Sequence, residues 1–264
     1  MTQHPAHERS HHTEPAAGKL HEMIYERDPE LLVKAASDRR MTEELALTML
    51  ERRDLPHLAI EKLSKNVVAM KHRKVLNAIV KHPRTPRHVS LPIARRLFVF
   101  ELMHIALTPT VAADLKMFAE EVLNSRLDSI SSGERLALAK RGSSGIAAAL
   151  LHDPELRIIE AALNSAYMTE MHVVKALMRE ECSQQLIDAV CHHSKWNLRR
   201  EVRAALLRNE KTPLARAVAL AEDMSSMALR EVLRTSRLPR NVKSYLERML
   251  EERPKGMKTR ATPA

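Results

Sequence analysis

Aromatic residues make up 3% of this 264-residue chain, glycine occurs five times, and cysteine twice. No stretch of about 18 apolar residues is present. Each scarcity excludes something. A sheet protein rich in tight turns needs more glycine than Gly18, Gly133, Gly142, Gly145 and Gly256 supply. Cys182 and Cys191 are too few for a disulfide scaffold. The missing apolar run excludes a membrane-spanning helix. The opening residues, MTQHPAHERSHHTEPAAGKL, hold nothing that would serve as a secretory signal. A reduced, cytoplasmic protein is therefore expected. With so few aromatics, readout of single-stranded bases by stacking is not expected.

Apolar residues reach 44%, enough for a continuous core of Leu, Ala, Val, Ile and Met. Ala, Leu, Met, Glu, Arg and Lys favour helix. The apolar spacing agrees: Ile158, Ile159, Ala162 and Leu163 share one helical face, as do Val75, Leu76, Ile79 and Val80, and Leu198, Val202, Ala205 and Leu206. Helix starts are expected at Thr85-Pro86, Thr108-Pro109 and Thr212-Pro213, with Thr as cap and Pro in the first helical position. Ser131 and Glu134 form a capping box, and Gly142 marks that helix's end. One phrase is written twice. DPELLVKAASDRRMTEEL starts at Asp28 and DPELRIIEAALNSAYMTEMH at Asp153, related by a two-residue gap. Such short helices cannot bury their apolar stripes alone, and stacking on copies of themselves does it.

Two stretches carry a family resemblance. NLRREVRAALLRNEKTPLARAVALAED (197–223) resembles the leucine-rich-repeat variant family, whose units read Val-Arg-x-x-Ala-Leu-x-Asn-x-x-Thr-Pro-x-x-x-Leu; Glu210 stands where that family often has Pro. DPELRIIEAAL (153–163) is similar to HEAT-like units, with Arg157 and Ile158 in swapped order. The likeness spans 28–250 loosely and 150–235 more fully. It implies an all-α, right-handed α-solenoid of stacked short helix pairs. These families are scaffolds, so no catalytic residue is carried over, although some HEAT-like solenoids bind or repair DNA.

The expected organisation is a disordered His-rich tail (1–18), N-terminal helical repeats with a basic patch (19–126), C-terminal repeats (127–252) and a disordered basic tail (253–264). Charge is the strongest functional signal. Residues 52–96 hold twelve basic and two acidic side chains, a balance of +10 that equals the formal net charge of the whole chain. On a helix expected over 70–82, Lys71, Lys74 and Lys81 lie near one face, and Arg84 and Arg87 extend the patch. That block suits an anionic partner: nucleic acid, an acidic protein or an anionic lipid surface. A second basic stretch holds Lys195, Trp196, Arg199 and Arg200; the Trp there serves either as a plug between repeats or as a stacking surface. His7-Glu8-Arg9-Ser10-His11 matches H-E-x-x-H, but it sits between Pro5 and Pro15 without an apolar face, so chance explains it better than a zinc site. Cys191 falls on an apolar face with Leu186, Ile187 and Val190, a core position rather than a metal ligand. No C-x-x-C, Gly-rich phosphate loop or G-x-S-x-G occurs. The expectation is a non-catalytic scaffold, without metal or cofactor, that binds a macromolecule, a protein first; the alternative is a nucleic-acid binder using 52–96.

Overall fold

The computed structural model describes residues 14–253, with side chains from Lys19. The H-E-x-x-H match and both tails beyond these limits lie outside the described residues. Within them the chain is all-α, with no strand. It divides into two compact units after Leu123. The first holds α1 (Glu14–Tyr25), α2 (Pro29–Ser37), α3 (Glu43–Glu51), α4 (His57–Ser64), α5 (Arg73–Lys81), α6 (Arg87–Ala94), α7 (Val99–Leu107) and most of α8 (Ala113–Arg126). The second holds α9 (Ser132–Arg141), α10 (Ser144–Ala149), α11 (Leu156–Leu163), α12 (Glu170–Leu177), α13 (Gln184–His192), α14 (Arg200–Arg208), α15 (Leu214–Glu222), α16 (Ser226–Thr235) and α17 (Arg240–Glu251). Within each unit, helices next but one in sequence pack side by side: α2 on α4 and α3 on α5 in the first, α11 on α13 and α12 on α14 in the second. No helix is long and apolar enough to cross a membrane among the described residues.

Helix starts explain the twice-written phrase. The capping residues of the first unit are Asp28, Thr42, Pro56, His72, Pro86 and Phe98. Adding 127 to each gives Glu155, Thr169, Ser183, Arg199, Pro213 and Ser225, the capping residues of α11 to α16. Both series advance by 14, 14, 16, 14 and 12 residues. One helix plus one joint is thus the elementary period, and the two units share one frame. Met41-Thr42-Glu43 and Met168-Thr169-Glu170 fall at equivalent places. Asp28 and Asp153 do not: Asp28 caps α2 by accepting from the Glu30 N–H, while Asp153 lies in the joint before α11. The two-residue gap is this difference.

The joints share a mechanism. A four-residue turn brings a buried side chain in just before the cap: Met41, Leu55, Thr85 and Val111, then Met168, Cys182, Thr212 and Met224, each at most 7% exposed. Their N–H groups donate to the carbonyl three residues back, as from Met41 to Asp38 and from Met168 to Ser165. The Thr-Pro joints differ from the sequence expectation. Pro86 and Pro213 are themselves the capping residues. Thr85 and Thr212 are buried, and each hydroxyl donates at 2.6 Å to a carbonyl of the preceding helix, Ile79 or Leu206. Thr108-Pro109 starts no helix; Thr108 ends α7, donating to the His104 carbonyl, and α8 begins only at Ala113. The Ser131–Glu134 capping box is present, and Gly142 ends α9 with φ −72°. A Cβ on Gly142 would sit 2.5 Å from the Leu138 carbonyl oxygen, so close approach, not a left-handed backbone, requires glycine there.

Side chains tie each joint to the one a repeat earlier. In the first unit Asn66 donates to the Ala36 and Asp38 carbonyls at 3.0 and 2.8 Å. In the second, Trp196 Nε1 donates to the Leu163 carbonyl at 2.8 Å. Ala36 and Leu163 are the same frame position, served by two unrelated side chains. His82 Nε2 donates to the Arg52 carbonyl while Nδ1 accepts from the Arg84 N–H; Asn209, its counterpart, donates to the Leu177 carbonyl and accepts from the Lys211 N–H.

Candidate binding surface

The expected basic helix over 70–82 is two elements. Ala69–Lys71 is a single 3-10 turn, and α5 starts at Arg73 after His72 turns extended (φ −91°, ψ 119°). Asn66 Oδ1 accepts from the N–H groups of Val68 and Ala69 and so nucleates that separate turn. Lys71 therefore does not continue the line of Lys74 and Lys81. Lys74 is exposed on α5 with Glu43 at 4.0 Å. Lys81, in the last turn of α5, is partly buried, and burial pulls its ammonium below the ordinary lysine value while Glu101 opposes the shift. Arg84 lies in the joint and donates to the Asp54 carbonyl at 2.9 Å. Arg87 opens α6 and pairs with Asp114, donating at 2.8 Å.

Acids from neighbouring helices answer part of the block: Glu101 meets Arg73, Glu43 lies near Lys74 and Asp114 meets Arg87. Glu101 on α7 takes Arg73, Asn77 at 2.8 Å and the Phe98 N–H at 2.6 Å. Its burial pushes the carboxyl up, but hydrogen bonds from Arg73, Phe98 and Asn77 together with the Arg73 charge outweigh that and leave it below the usual range. The Arg73 guanidinium also lies 3.4 Å over the Phe98 ring. Arg52 pairs with Asp54 at 2.9 Å and donates to the Ile24 and Glu26 carbonyls. Glu43, Glu101 and Asp114 lie outside 52–96, so a count within the window does not see them. The separation of Glu101 from Arg73, 28 residues, and of Asp114 from Arg87, 27 residues, is the repeat interval and was the signal available. Lys62, Lys65 and Arg96 are exposed, and among the described residues none of them has an ion-paired carboxylate.

In the second unit Trp196 is 2% exposed, and Lys195 Nζ sits 4.0 Å over its ring. The ring belongs to the core, while Arg199 and Arg200 are exposed at the start of α14. Cys182 and Cys191 are buried free thiols; burial pushes both up, Cys191 to about 11. Among the described residues no group of three His, Cys, Asp or Glu could hold a metal.

Two histidines give a pH dependence. Burial, with help from Arg179 against Glu181, depresses His152, and burial and Lys195 depress His193. Native protein then binds fewer protons than unfolded chain as pH falls through the ordinary imidazole value near 6.5. Stability is therefore expected to fall on acidification between about pH 7 and 5. Asp38, held at about 2 by hydrogen bonds and charge from Arg40, loses its contribution only below that window. Urea midpoints at both pH values check this, and H152Q/H193N should flatten the difference; an unchanged slope would count against it.

A scan against protein-family models and searches of curated proteins and of solved structures find no match to this chain.

Proposed function

We propose that this chain is a non-catalytic helical-repeat protein, a HEAT-like right-handed solenoid, that binds a protein partner on its repeat surface. The observation supporting this is a difference between two units built on one frame. Glu44 and Glu51 on α3 correspond to Met171 and Met178 at α12, which are 62% and 49% exposed. Lys71 and Arg87 correspond likewise to Leu198 and Leu214, 62% and 43% exposed. The frame tolerates charge at these places, so packing does not require the apolar residues. Exposed apolar side chains clustered on a surface are typical of contact with another protein. Met171 and Met178 are seven apart and share a face.

The test restores the charges of the first unit. Crosslinked complexes of wild type and of M171E/M178E are compared by quantitative mass spectrometry. The wild type should yield a stoichiometric partner that the variant loses, with an unchanged melting temperature. A wild type that captures none would sink the reading. The second reading, nucleic-acid binding by 52–96, is favoured by Lys62, Lys65 and Arg96, whose side chains have no ion-paired acid among the described residues. Three phosphate contacts would give log affinity against log salt a slope of about −3. A gel shift with random duplex that is absent or insensitive to salt removes it.

A further inference from the structure

We infer that the groove between α4 and α6 docks an acidic amphipathic segment of a protein partner. This rests on the reading of the chain as a protein-binding helical repeat. The groove has a volume of ≈ 300 Å³, and Met70, Val89, Pro92 and Ile93 line it. Lys65 and Arg96 stand at its edge. The one acid lining it, Glu61 on α4, already lies 3.5 Å from His88 on the facing wall, α6, and so is taken from within the groove. An apolar lining with cations at the edge matches a segment that inserts a large apolar side chain and sets carboxylates against the cations. A phosphodiester backbone has no use for the apolar lining. Both helices have eight residues, so the groove is about 12 Å long, room for roughly two turns of a bound helix.

The second unit shows that the frame does not require this arrangement. At the same register, residues 127 further on, the space shrinks to ≈ 120 Å³. There Arg203 fills the place of Leu76 and pairs with Asp223 at 3.1 Å, and Asp223 stands where the first unit has Arg96. His192 replaces Lys65. The second copy is narrowed by the Arg203–Asp223 pair; the first is wider, with Glu61 and His88 meeting across it, and keeps Lys65 and Arg96 without an ion-paired acid among the described residues. Pro92 adds a further difference. Lying inside α6, it has no N–H to give the His88 carbonyl, whereas Ala219 at its place in α15 has one. The chain's own C-terminal residues do not suit the groove: 253–264 hold Arg253, Lys255, Lys258 and Arg260 and no acid.

The experiment pans a displayed library of random peptides about 16 residues long on the full chain. Enriched peptides should be net acidic, with large apolar residues at i, i+3 or i+4 spacing. Their affinity, read by fluorescence anisotropy, should fall at least about ten-fold for K65E/R96E, with the melting temperature unchanged because both side chains are exposed. Neutral or basic winners, or affinity retained by K65E/R96E, overturn the proposal. So does a random duplex of about 20 base pairs that binds more tightly than the peptides and is lost in the same variant, which reassigns the cations to phosphate. A crosslinked partner sensitive to M171E/M178E but indifferent to K65E/R96E refutes the groove and leaves the protein-binding reading standing.

Discussion

Replacing Trp196 with alanine is expected to cost about 3–5 kcal/mol of unfolding free energy, the range for emptying a large buried aromatic site. The side chain is 2% exposed and is the largest in the core of its unit. Two losses combine. The indole volume becomes a cavity, and the Leu163 carbonyl at the end of α11 loses the Nε1 donor at 2.8 Å. Trp196→Phe separates them, keeping most of the volume while removing the N–H; about 1–2 kcal/mol is expected for it. Urea unfolding followed by circular dichroism, since the only Trp fluorophore is gone, gives both numbers. A W196A cost below about 1 kcal/mol would show that the ring fills no essential space. The first unit offers a related case. Asn66→Leu removes the donor to the Ala36 carbonyl, the counterpart of Leu163, together with the bond to the Asp38 carbonyl and the acceptor for the Val68 and Ala69 N–H groups, so its cost should exceed that of Trp196→Phe.

That pair also shows what could be read in the sequence. The helical class was legible, because it follows from composition and from stripes such as Ile158, Ile159, Ala162 and Leu163, all buried on α11. The shared frame of the two halves showed through at Met41-Thr42-Glu43 and Met168-Thr169-Glu170 and at Thr85-Pro86 and Thr212-Pro213. Elsewhere the frame is kept by burial and by donor position, not by residue type: Asn66 and Trp196 serve one carbonyl position, Pro56 and Ser183 one cap. The 14-residue rhythm was obscured because joints vary, with intervals of 12 to 16. The basic block was legible as composition but not as a surface. Which cations stay unanswered depends on acids one repeat away: Glu101 reaches Arg73 and Asp114 reaches Arg87, and neither reaches Lys65 or Arg96. Phe98 and Phe100, 61% and 45% exposed, and the exposed methionines at 171 and 178 could not be told from core residues by periodicity, since each sits on a helix whose other face is apolar.

Arg135→Ala is expected to cost about 3 kcal/mol, because it strands a buried charge. Arg135 on α9 donates to Asp153 Oδ2 at 2.7 Å, to Glu155 Oε1 at 2.9 Å and to the Ile130 carbonyl at 3.0 Å. The Asp153 side chain is 2% exposed and the Arg135 side chain 15%. This cluster fixes the joint before α11 on α9, a bond the first unit cannot mirror within its described residues, since the place of α9 there falls before α1. Without the guanidinium, Asp153 keeps only the Glu155 N–H at 2.9 Å for its other oxygen. A buried carboxylate with one neutral donor and no cation is unfavourable, so the chain must hydrate it, protonate it or move the joint. Each route predicts the same second result. Asp153→Asn in the R135A background removes the charge while its Oδ1 still accepts from Glu155, so the double variant should recover at least half of the loss. Denaturant midpoints of R135A, D153N and the pair form the cycle. Costs that simply add would mean that the two residues stabilise the joint independently, and the ion pair would then not be what holds α11 to α9.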